Sequence, residues 1–339
     1  MGNEDLGHFY YDTGDYQAAL KAYMRMRENC TSNKHLADMT LRLVFVSVAQ
    51  NSWLSVQSNL AKVDAIQLKG DEKIKLDPII SAVGGLSHMA MGNYRDASTY
   101  FLRTSPSYLV AEPAASIKWQ THVISGNDVA VYGGLCALAS MERSELQDKV
   151  LANSEFRNFL ELEPHIRRAM NLFCNSKYSA CLEVLEGYRT DYLLDVYLSK
   201  VLHVIYGRIR TKSIVQYFIP FSCVTLDEMS SKFPPTADSS IEHELEEMIN
   251  SKTLAARIDL VDRLLISPPM NPRHEVHAEA LAMAESYDHT LRLRLMRVNM
   301  QAVGMEVAAG RNTAEMMSSG SMRESLGASL RGIGSKMFS

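Results

Sequence analysis

The chain has 339 residues, of which 46% are hydrophobic and 22% are charged, and its net charge is −4 at pH 7. This length suggests two or three domains with a sizeable core, and the weak negative charge gives no attraction toward nucleic acid or an anionic membrane surface. No apolar run approaches the roughly 20 residues of a membrane span. The N-terminus lacks a basic segment followed by an apolar one, so we expect no secretory signal.

The cysteines are five in number and scattered, without a Cys-x-x-Cys pair. They are Cys30, Cys136, Cys174, Cys181 and Cys223. An odd, unpatterned set is typical of reduced thiols. We therefore expect a protein of the cytoplasm and nucleus.

The first recognisable elements are two similar stretches, TGDYQAALKAYMR at 13–25 and MGNYRDASTYFLR at 91–103. Each has a glycine turn, an aromatic residue, a small residue three positions later and an apolar residue four positions after that. Weaker copies begin at Trp53 and Tyr178. Such spacing, near 40 residues or twice that, predicts helix-pair repeats of the tetratricopeptide class, whose repeated residues serve packing rather than chemistry. Helical periodicity continues to about residue 206, and Pro164 indicates the start of a helix.

The pattern changes after about residue 207. The predicted elements are a helix at about 208–218, a short helix at 225–232, a helix at 241–251 capped by Ser239 or Ser240, and two short strands at about 255–259 and 263–266. Thr225 and Glu228 match a capping box. Three short helices followed by a β-ribbon are the order of a winged helix.

Winged helices often bind DNA through the third helix. Here that helix carries only acidic charges before Lys252, which phosphates would repel. The acidic residues are Glu242, Glu244, Glu246 and Glu247. The basic stretch GRIRTK at 207–212 is the one candidate nucleic-acid face, and a salt-dependent shift with DNA or RNA would support that hypothesis. We favour the other use of a small open sheet, which is edge pairing with another sheet.

A long helix is predicted at about 274–309, with apolar residues at steps of 4, 3, 4, 4, 3, 4 and 3. They are Ala280, Ala284, Tyr287, Leu291, Leu295, Val298, Ala302 and Met305. This near-heptad pattern with one slip favours a bundle formed with partners over another core helix of the same chain. The Ser-, Gly- and Met-rich segment 311–339 is predicted to be disordered.

No catalytic constellation is found in the sequence. The histidines of HEVH, His274 and His277, are three residues apart rather than the four of a zinc protease, and no His-x-His pair occurs. Cys136 lies in an apolar, small-residue stretch typical of a structural thiol. We expect no catalytic residue, no cofactor and no metal.

Helical repeats, a winged helix and a C-terminal helix are together the layout of PCI-domain proteins, which occur in the proteasome lid, the COP9 signalosome and translation initiation factor three. Six strings narrow the resemblance to the subunit 1 family of the COP9 signalosome. They are DVAVYGGLCALASMERSELQDKVL (128–151), FRNFLELEPHIR (156–167), SKYSACLEVL (176–185), DYLLDVYLSKV (191–201), IRTKSIVQYFIPF (209–221) and AARID (255–259). YGGLCALA and FLELEP separate the chain from the paralogous proteasome-lid subunit, which remains the alternative.

The resemblance covers about residues 5 to 310. Members of the family usually carry an N-terminal extension, which we expect to be absent or trimmed here. Leu260 and Val261 replace more polar residues in the wing.

The resemblance implies a non-catalytic scaffold subunit of the complex that removes the ubiquitin-like modifier Nedd8 from cullin-RING ligases. Its implied partners are the other signalosome subunits, met in a ring of PCI domains and in a helical bundle, with the cullin-RING ligase as substrate of the complex. Neither nucleic acid nor membrane is an expected partner.

The predicted fold is mostly α: a right-handed, tetratricopeptide-like solenoid running into a winged-helix PCI domain, then a long C-terminal helix. The predicted divisions are repeats at 1–158, a PCI domain at 159–271 with its winged helix at about 207–269, a bundle helix at 272–310 and the tail. The expected partner-binding residues on the wing edge are Leu254, Ala255, Ala256, Arg257, Ile258 and Asp259. Those of the bundle helix are Ala284, Tyr287, Leu291, Leu295, Val298, Ala302 and Met305.

Overall fold

The computed structural model describes residues 2–30, 32–66, 70–110, 112–234, 240–268 and 272–305. Contacts divide the chain into two compact units, Met1–Pro268 and Pro269–Ser339. The segment 311–339, predicted to be disordered, lies outside the described residues.

The first part of unit one is a series of helices in which α1 packs on α2, α3 on α4, α5 on α6 and α11 on α12. Their bounds are α1 Gly2–Asp12, α2 Tyr16–Arg25, α3 Asn33–Ala49, α4 Trp53–Ala65, α5 Gly70–Ala90, α6 Tyr94–Leu102, α7 Trp119–His122, α8 Gly126–Ser140, α9 Arg143–Glu145, α10 Ser154–Leu162, α11 Pro164–Cys174, α12 Tyr178–Gly187 and α13 Arg189–Leu194. Short 3-10 turns cover Met26–Asn29 and Pro106–Val110, and a π turn covers Leu146–Leu151. The predicted helical-repeat architecture is confirmed.

The turn of each repeat has the same backbone conformation. Two residues before the aromatic position the backbone has positive φ in all four copies, at 83° for Gly14, 55° for Asn51, 82° for Gly92 and 60° for Ser176. Glycine adopts this left-handed region without a Cβ penalty, and asparagine tolerates it better than most residues. The four aromatic residues each begin a helix, α2, α4, α6 and α12, as the repeat pattern predicts.

The small and apolar positions of the repeats form the core. The small positions are fully buried, and the last apolar positions are at most 6% exposed. These residues are Ala19, Val56, Ala97 and Cys181, followed by Tyr23, Leu60, Phe101 and Leu185. They are packing residues, as the sequence indicates.

Helix α8 lies at the centre of unit one, where it contacts α5, α6, α10 and α11. Its paired glycines allow these helices to approach closely. A Cβ atom on Gly133 would lie 2.9 Å from Phe156 Cζ, and one on Gly134 would lie 2.3 Å from Ile166 Cγ2. The string YGGLCALA is therefore dictated by helix packing.

A smaller hydrophobic cluster joins α2 and α3 at the N-terminal end. Tyr23 is 2% exposed there, and its hydroxyl lies 3.2 Å from His8 Nδ1. The buried guanidinium of Arg42 holds this end together, because it contacts the Glu4 carboxylate on α1 and donates to the Ala115 carbonyl at 3.3 Å.

Titration of Tyr23 is expected to weaken the fold at high pH. Burial raises the Tyr23 pKa from 10.0 to about 12. The neutral Tyr23 side chain therefore contributes to the free energy of unfolding fully below pH 10, and this contribution is lost as the pH rises through the folded-state pKa. Denaturant unfolding of the wild type should show a loss on the order of 1–2 kcal/mol from this group between pH 10 and 12. The Tyr23→Phe variant should lose less unfolding free energy over that pH range. Equal losses in the two proteins would show that Tyr23 is not the titrating group.

The second part of unit one has the element order of a winged helix. Its elements are α14 Leu202–Phe218, β1 Cys223–Thr225, α15 Leu226–Lys232, α16 Ile241–Asn250, β2 Arg257–Asp259 and β3 Leu264–Ile266. The three strands form an antiparallel sheet in the order β1-β3-β2, with Val224 and Ile258 both opposite Leu265. The side chain of Leu265, on the central strand β3, is fully buried.

Three details of the prediction are wrong. Helix α14 begins at Leu202 rather than near 208, so it extends across residue 207, where the sequence pattern changes. Strand β1 was not predicted, because it has only three residues, which is too short to show the alternation of a strand. Thr225 accepts from the Glu228 backbone N–H, but the Glu228 carboxylate accepts from the Tyr217 hydroxyl at 3.1 Å instead of closing a capping box.

Unit two contains helix α17, Pro272–Ala302, which is about 46 Å long at 1.5 Å per residue. The helix ends before the predicted 309 because Gly304 adopts a φ of 72°. The Met305 N–H then bonds to the Met300 carbonyl at 2.9 Å, and the Gly304 N–H bonds to the Gln301 carbonyl at 3.0 Å. This pair of bonds is a Schellman motif. Met305 therefore lies beyond the helix, and helical spacing does not place it on the predicted stripe.

Candidate interaction surfaces

The predicted wing edge is strand β2. Within the described part of the chain, β2 pairs with β3 alone, so its other side is an open sheet edge. Of the predicted residues, Arg257, Ile258 and Asp259 form the strand, whereas Leu254, Ala255 and Ala256 precede it. The open edge has the form that β-augmentation requires.

The side chains along this edge differ in exposure. Leu254 and Ala256 are buried and anchor the strand in the core, so their side chains are not a contact surface. Arg257 is exposed, and Ile258 and Asp259 are half-buried. Any pairing along β2 must therefore use its backbone, with the Arg257 side chain at the surface.

The turn between β2 and β3 presents two apolar side chains to solvent. Leu260 is 74% exposed and Val261 is 90% exposed. The Asp259 carboxylate fixes the turn by accepting from the Val261 N–H at 2.9 Å. The wing thus ends in an exposed apolar tip beside the open edge.

Two arginines fix the winged helix to its surroundings. Arg210 on α14 donates from Nε to both carboxylate oxygens of Glu244 on α16, at 2.8 and 3.0 Å, and donates to the Phe233 carbonyl. Arg263 in the wing pairs with Glu242 at 2.9 Å. The acidic third helix is thus partly neutralised by cations of the same chain.

The basic stretch 207–212 is engaged inside unit one. Arg208 lies over the ring of Tyr94, at 4.6 Å from its centroid, and Arg210 pairs with Glu244. Lys212 Nζ donates to the Leu138 carbonyl at 2.7 Å and to the Met141 carbonyl near the C-terminal end of α8. Burial lowers the Lys212 pKa to about 8. This stretch presents no free row of cations for phosphates, which weighs against the nucleic-acid hypothesis.

The predicted stripe on α17 is exposed along its length. Tyr287 is 66% exposed, Leu291 39%, Leu295 62% and Val298 57%, and the alanines Ala284 and Ala302 are exposed as well. Exposed apolar patches of this extent mark sites that another surface covers. The assignment of these residues to a partner stays a prediction.

The described residues show no group of three or more His, Cys, Asp or Glu side chains that could hold a metal ion. His277 is exposed, and the side chain of His274 lies outside the described set. Cys136 is fully buried, and burial raises its thiol pKa. No helix in the described ranges is long and apolar enough to cross a membrane.

Sequence reasoning missed the polar contacts that join helix α8 and the turn before α4 to the segment between α13 and α14. The Tyr132 hydroxyl on α8 donates to Asp195 at 2.6 Å, and Lys200 donates to Asn51 at 3.2 Å. These partners are 63 and 149 residues apart. No local pattern could have paired them.

Comparison with known proteins agrees with this architecture. A family model described as 26S proteasome subunit RPN7 matches residues 1–149, and a model of the PCI domain matches residues 185–269. The fold and these matches define a PCI-domain protein with an RPN7-type N-terminal region.

Individual relatives show which family of PCI-domain proteins the chain resembles. COP9 signalosome complex subunit 1 of Emericella nidulans is 47% identical over 91% of this chain and 62% of that protein. The protein of the same name from Neurospora crassa is 38% identical over 93% of this chain and 69% of its own length. The 26S proteasome non-ATPase regulatory subunit 6 of Oryza sativa subsp. japonica is 26% identical over 52% of this chain and 43% of its own length. The chain belongs to the COP9 signalosome subunit 1 family, and it spans between 62% and 69% of the two signalosome relatives.

Proposed function

We propose that this chain is a non-catalytic scaffold subunit of the COP9 signalosome, the complex that removes Nedd8 from cullin-RING ubiquitin ligases. Two surfaces support the proposal: the open edge of β2 for pairing with neighbouring PCI domains, and the stripe of α17 for a helical bundle. The cullin-RING ligase is the substrate of the complex, and the N-terminal repeats face it.

The exposed stripe of α17 carries the proposal. Leaving side chains such as Leu291 and Leu295 in water costs about 1.5–3 kcal/mol each relative to full burial. Packing against other helices in a bundle would remove these side chains from water. A proteasome-lid subunit would use the same surface. The chain is 47% and 38% identical to two signalosome relatives and 26% identical to the proteasome relative, and these values favour the signalosome assignment.

The divisions predicted from the sequence remain part of the proposal: repeats at 1–158, a PCI domain at 159–271 and a bundle helix from 272. Residence in the cytoplasm and nucleus is likewise proposed. The free state of all five cysteines supports it.

The double variant Leu291→Asp/Leu295→Asp is expected to separate the chain from its assembly, because two carboxylates cannot be buried in an apolar seam without a large desolvation cost. The measurement is co-purification of a tagged chain, followed by identification of the companion proteins. Its circular dichroism should stay close to that of the wild type, because both side chains are exposed in the isolated chain.

The matched control is Leu293→Asp/Met296→Asp, which places the same charges on exposed residues of the opposite face of α17. Unchanged recovery of companions with the first variant would contradict the proposal. Recovery of a proteasome lid in place of a signalosome would support the alternative.

A further inference from the structure

Two backbone hydrogen bonds show which residues of β3 bond to β1. The Ser267 N–H donates to the Ser222 carbonyl at 2.8 Å, and the Leu226 N–H donates to the Arg263 carbonyl at 2.9 Å. In an antiparallel ladder, successive residues direct their N–H and C=O groups to alternate sides of the strand. The odd-numbered residues of β3 therefore bond to β1, and the even-numbered residues bond to β2.

The same alternation determines what the open edge of β2 offers. Arg257 and Asp259 pair with Ile266 and Leu264, the even-numbered residues of β3, and so direct their backbone groups into the sheet. Ile258 lies between them and directs its N–H and C=O groups out of the sheet. A strand added at this edge must therefore exchange hydrogen bonds with Ile258.

The side chains around Ile258 form a charge pattern that is complementary to itself. Ile258 is half-buried opposite the buried Leu265, whereas Arg257 and Asp259 lie on the other face of the sheet. A second β2, turned by a two-fold axis perpendicular to the sheet at Ile258, runs antiparallel to the first. Arg257 of each copy is then directly opposite Asp259 of the other, on the same face. Opposite charges in such cross-strand pairs stabilise the pairing.

Both charged groups are available for this contact. Arg257 is exposed, and it makes no ion pair with another residue that the structure describes. The Asp259 carboxylate accepts the turn bonds from the Val261 and Asp262 N–H groups through Oδ1. Oδ2 can therefore accept from the arginine of a second copy without opening the turn.

The exposed apolar tip of the wing would lie at both ends of the paired strands. Leu260 and Val261 directly follow β2, and Ala255 and Ala256 directly precede it. Antiparallel pairing brings the end of one strand beside the start of the other. The tip of each copy would thus lie beside two small side chains of the other copy, which leave room for it.

We propose that two copies of this chain associate edge to edge through antiparallel β2 strands, with the two-fold axis at Ile258. The contact is short, so the homodimer is weak and forms at high concentration. It occupies the edge that the proposed function assigns to neighbouring PCI domains, but it does not rest on that function. A neighbouring PCI domain would displace the second copy.

Disulfide trapping tests the direction and register of the pair. The full chain is used with Cys30 and Cys223, the two cysteines that are not buried, replaced by serine. Arg257→Cys/Asp259→Cys should form a covalent dimer when oxidised by oxygen with a copper catalyst. The two positions face each other across the strands with Cα atoms about 4.5 Å apart, which is within the range of a disulfide.

The single variants Arg257→Cys and Asp259→Cys should form far less covalent dimer, because each residue and its own copy are diagonal neighbours about 7–8 Å apart. Asp259→Cys alone also controls for the loss of the turn bond. The matched control keeps Cys223 and adds Thr225→Cys, which places two exposed thiols at the same spacing on the other edge strand, β1. It should not be trapped.

Sedimentation equilibrium of the wild type measures the association without new cysteines. The average mass should rise above that of the monomer, 38.0 kDa, as the protein concentration increases. Arg257→Glu should lose this rise, because it sets two carboxylates opposite each other at both ends of the pair. Arg257→Lys should keep the rise, and added salt should reduce it.

Equal trapping of the double variant and the single variants would overturn the β2 pair, as would an Arg257→Glu chain that associates like the wild type. A chain that stays monomeric and untrapped at every concentration would overturn the homodimer while leaving the scaffold function intact. Loss of companions by Leu291→Asp/Leu295→Asp tests the scaffold function separately.

Discussion

Gly134→Val is expected to lower the free energy of unfolding by about 3–5 kcal/mol, the largest effect of any single substitution considered for the repeats. A Cβ atom at this position would lie 2.3 Å from Ile166 Cγ2 and 2.9 Å from Met170 Cε. Both neighbours are fully buried on α11, and the branched Ile166 side chain is stiff. Helix α11 must therefore move away from α8 to admit valine. Denaturant unfolding followed by circular dichroism measures the loss.

Gly207→Ala is the matched control for this substitution. Gly207 lies within α14, and a Cβ atom there would meet nothing within 4 Å. Alanine in a helix interior is more favourable than glycine by about 0.5–1 kcal/mol. The control should therefore be at least as stable as the wild type. A Gly134→Val protein as stable as Gly207→Ala would show that α8 and α11 do not pack as described.

Arg210→Met is expected to cost about 3–4 kcal/mol of stability, because it leaves Glu244 without its partner. The side chains of Arg210 and Glu244 are only 16% and 19% exposed, so water replaces the lost bonds poorly. The Phe233 carbonyl also loses a donor. Since this pair joins α14 to α16, the third helix of the winged helix should become the first part to exchange its amide protons.

Arg189→Met provides the comparison. Arg189 pairs with Glu186 at 2.8 Å, but the two side chains are 43% and 58% exposed. Such a surface pair contributes about 0–1 kcal/mol. Equal losses in the two variants would show that burial does not decide the strength of the Arg210 pair. Replacing both Arg210 and Glu244 by apolar residues should recover part of the stability, since no charge is then left unpaired.

Much of the architecture follows from local patterns. The aromatic starts of the repeats, the buried small residues and the winged-helix order were all predictable, because each depends on residues within about one helical turn or one hairpin. Glycine at Gly14 and Gly92 marked two of the left-handed turns. Asn51 and Ser176 adopt the same conformation without glycine, and only alignment with the repeat indicated them.

The surfaces were less predictable than the fold. The sequence placed the edge strand at the right position but could not tell that Leu254 and Ala256 point into the core, since alternation over a few residues does not define a face. The stripe of α17 was visible from its spacing. The contacts of Arg208, Arg210 and Lys212 could not be predicted from the sequence, because their partners lie on other helices. Their charge alone suggested a free basic face.

The Schellman motif at Gly304 sets the length of helix that the proposed bundle could use. It ends the helical part of the stripe at Ala302, which leaves a span of about 33 Å from Ala280. In the proposed bundle, a partner helix would meet this span through only a few layers of side chains. Each layer would then account for a large share of the binding free energy, so the rate of dissociation would be sensitive to single substitutions in the stripe.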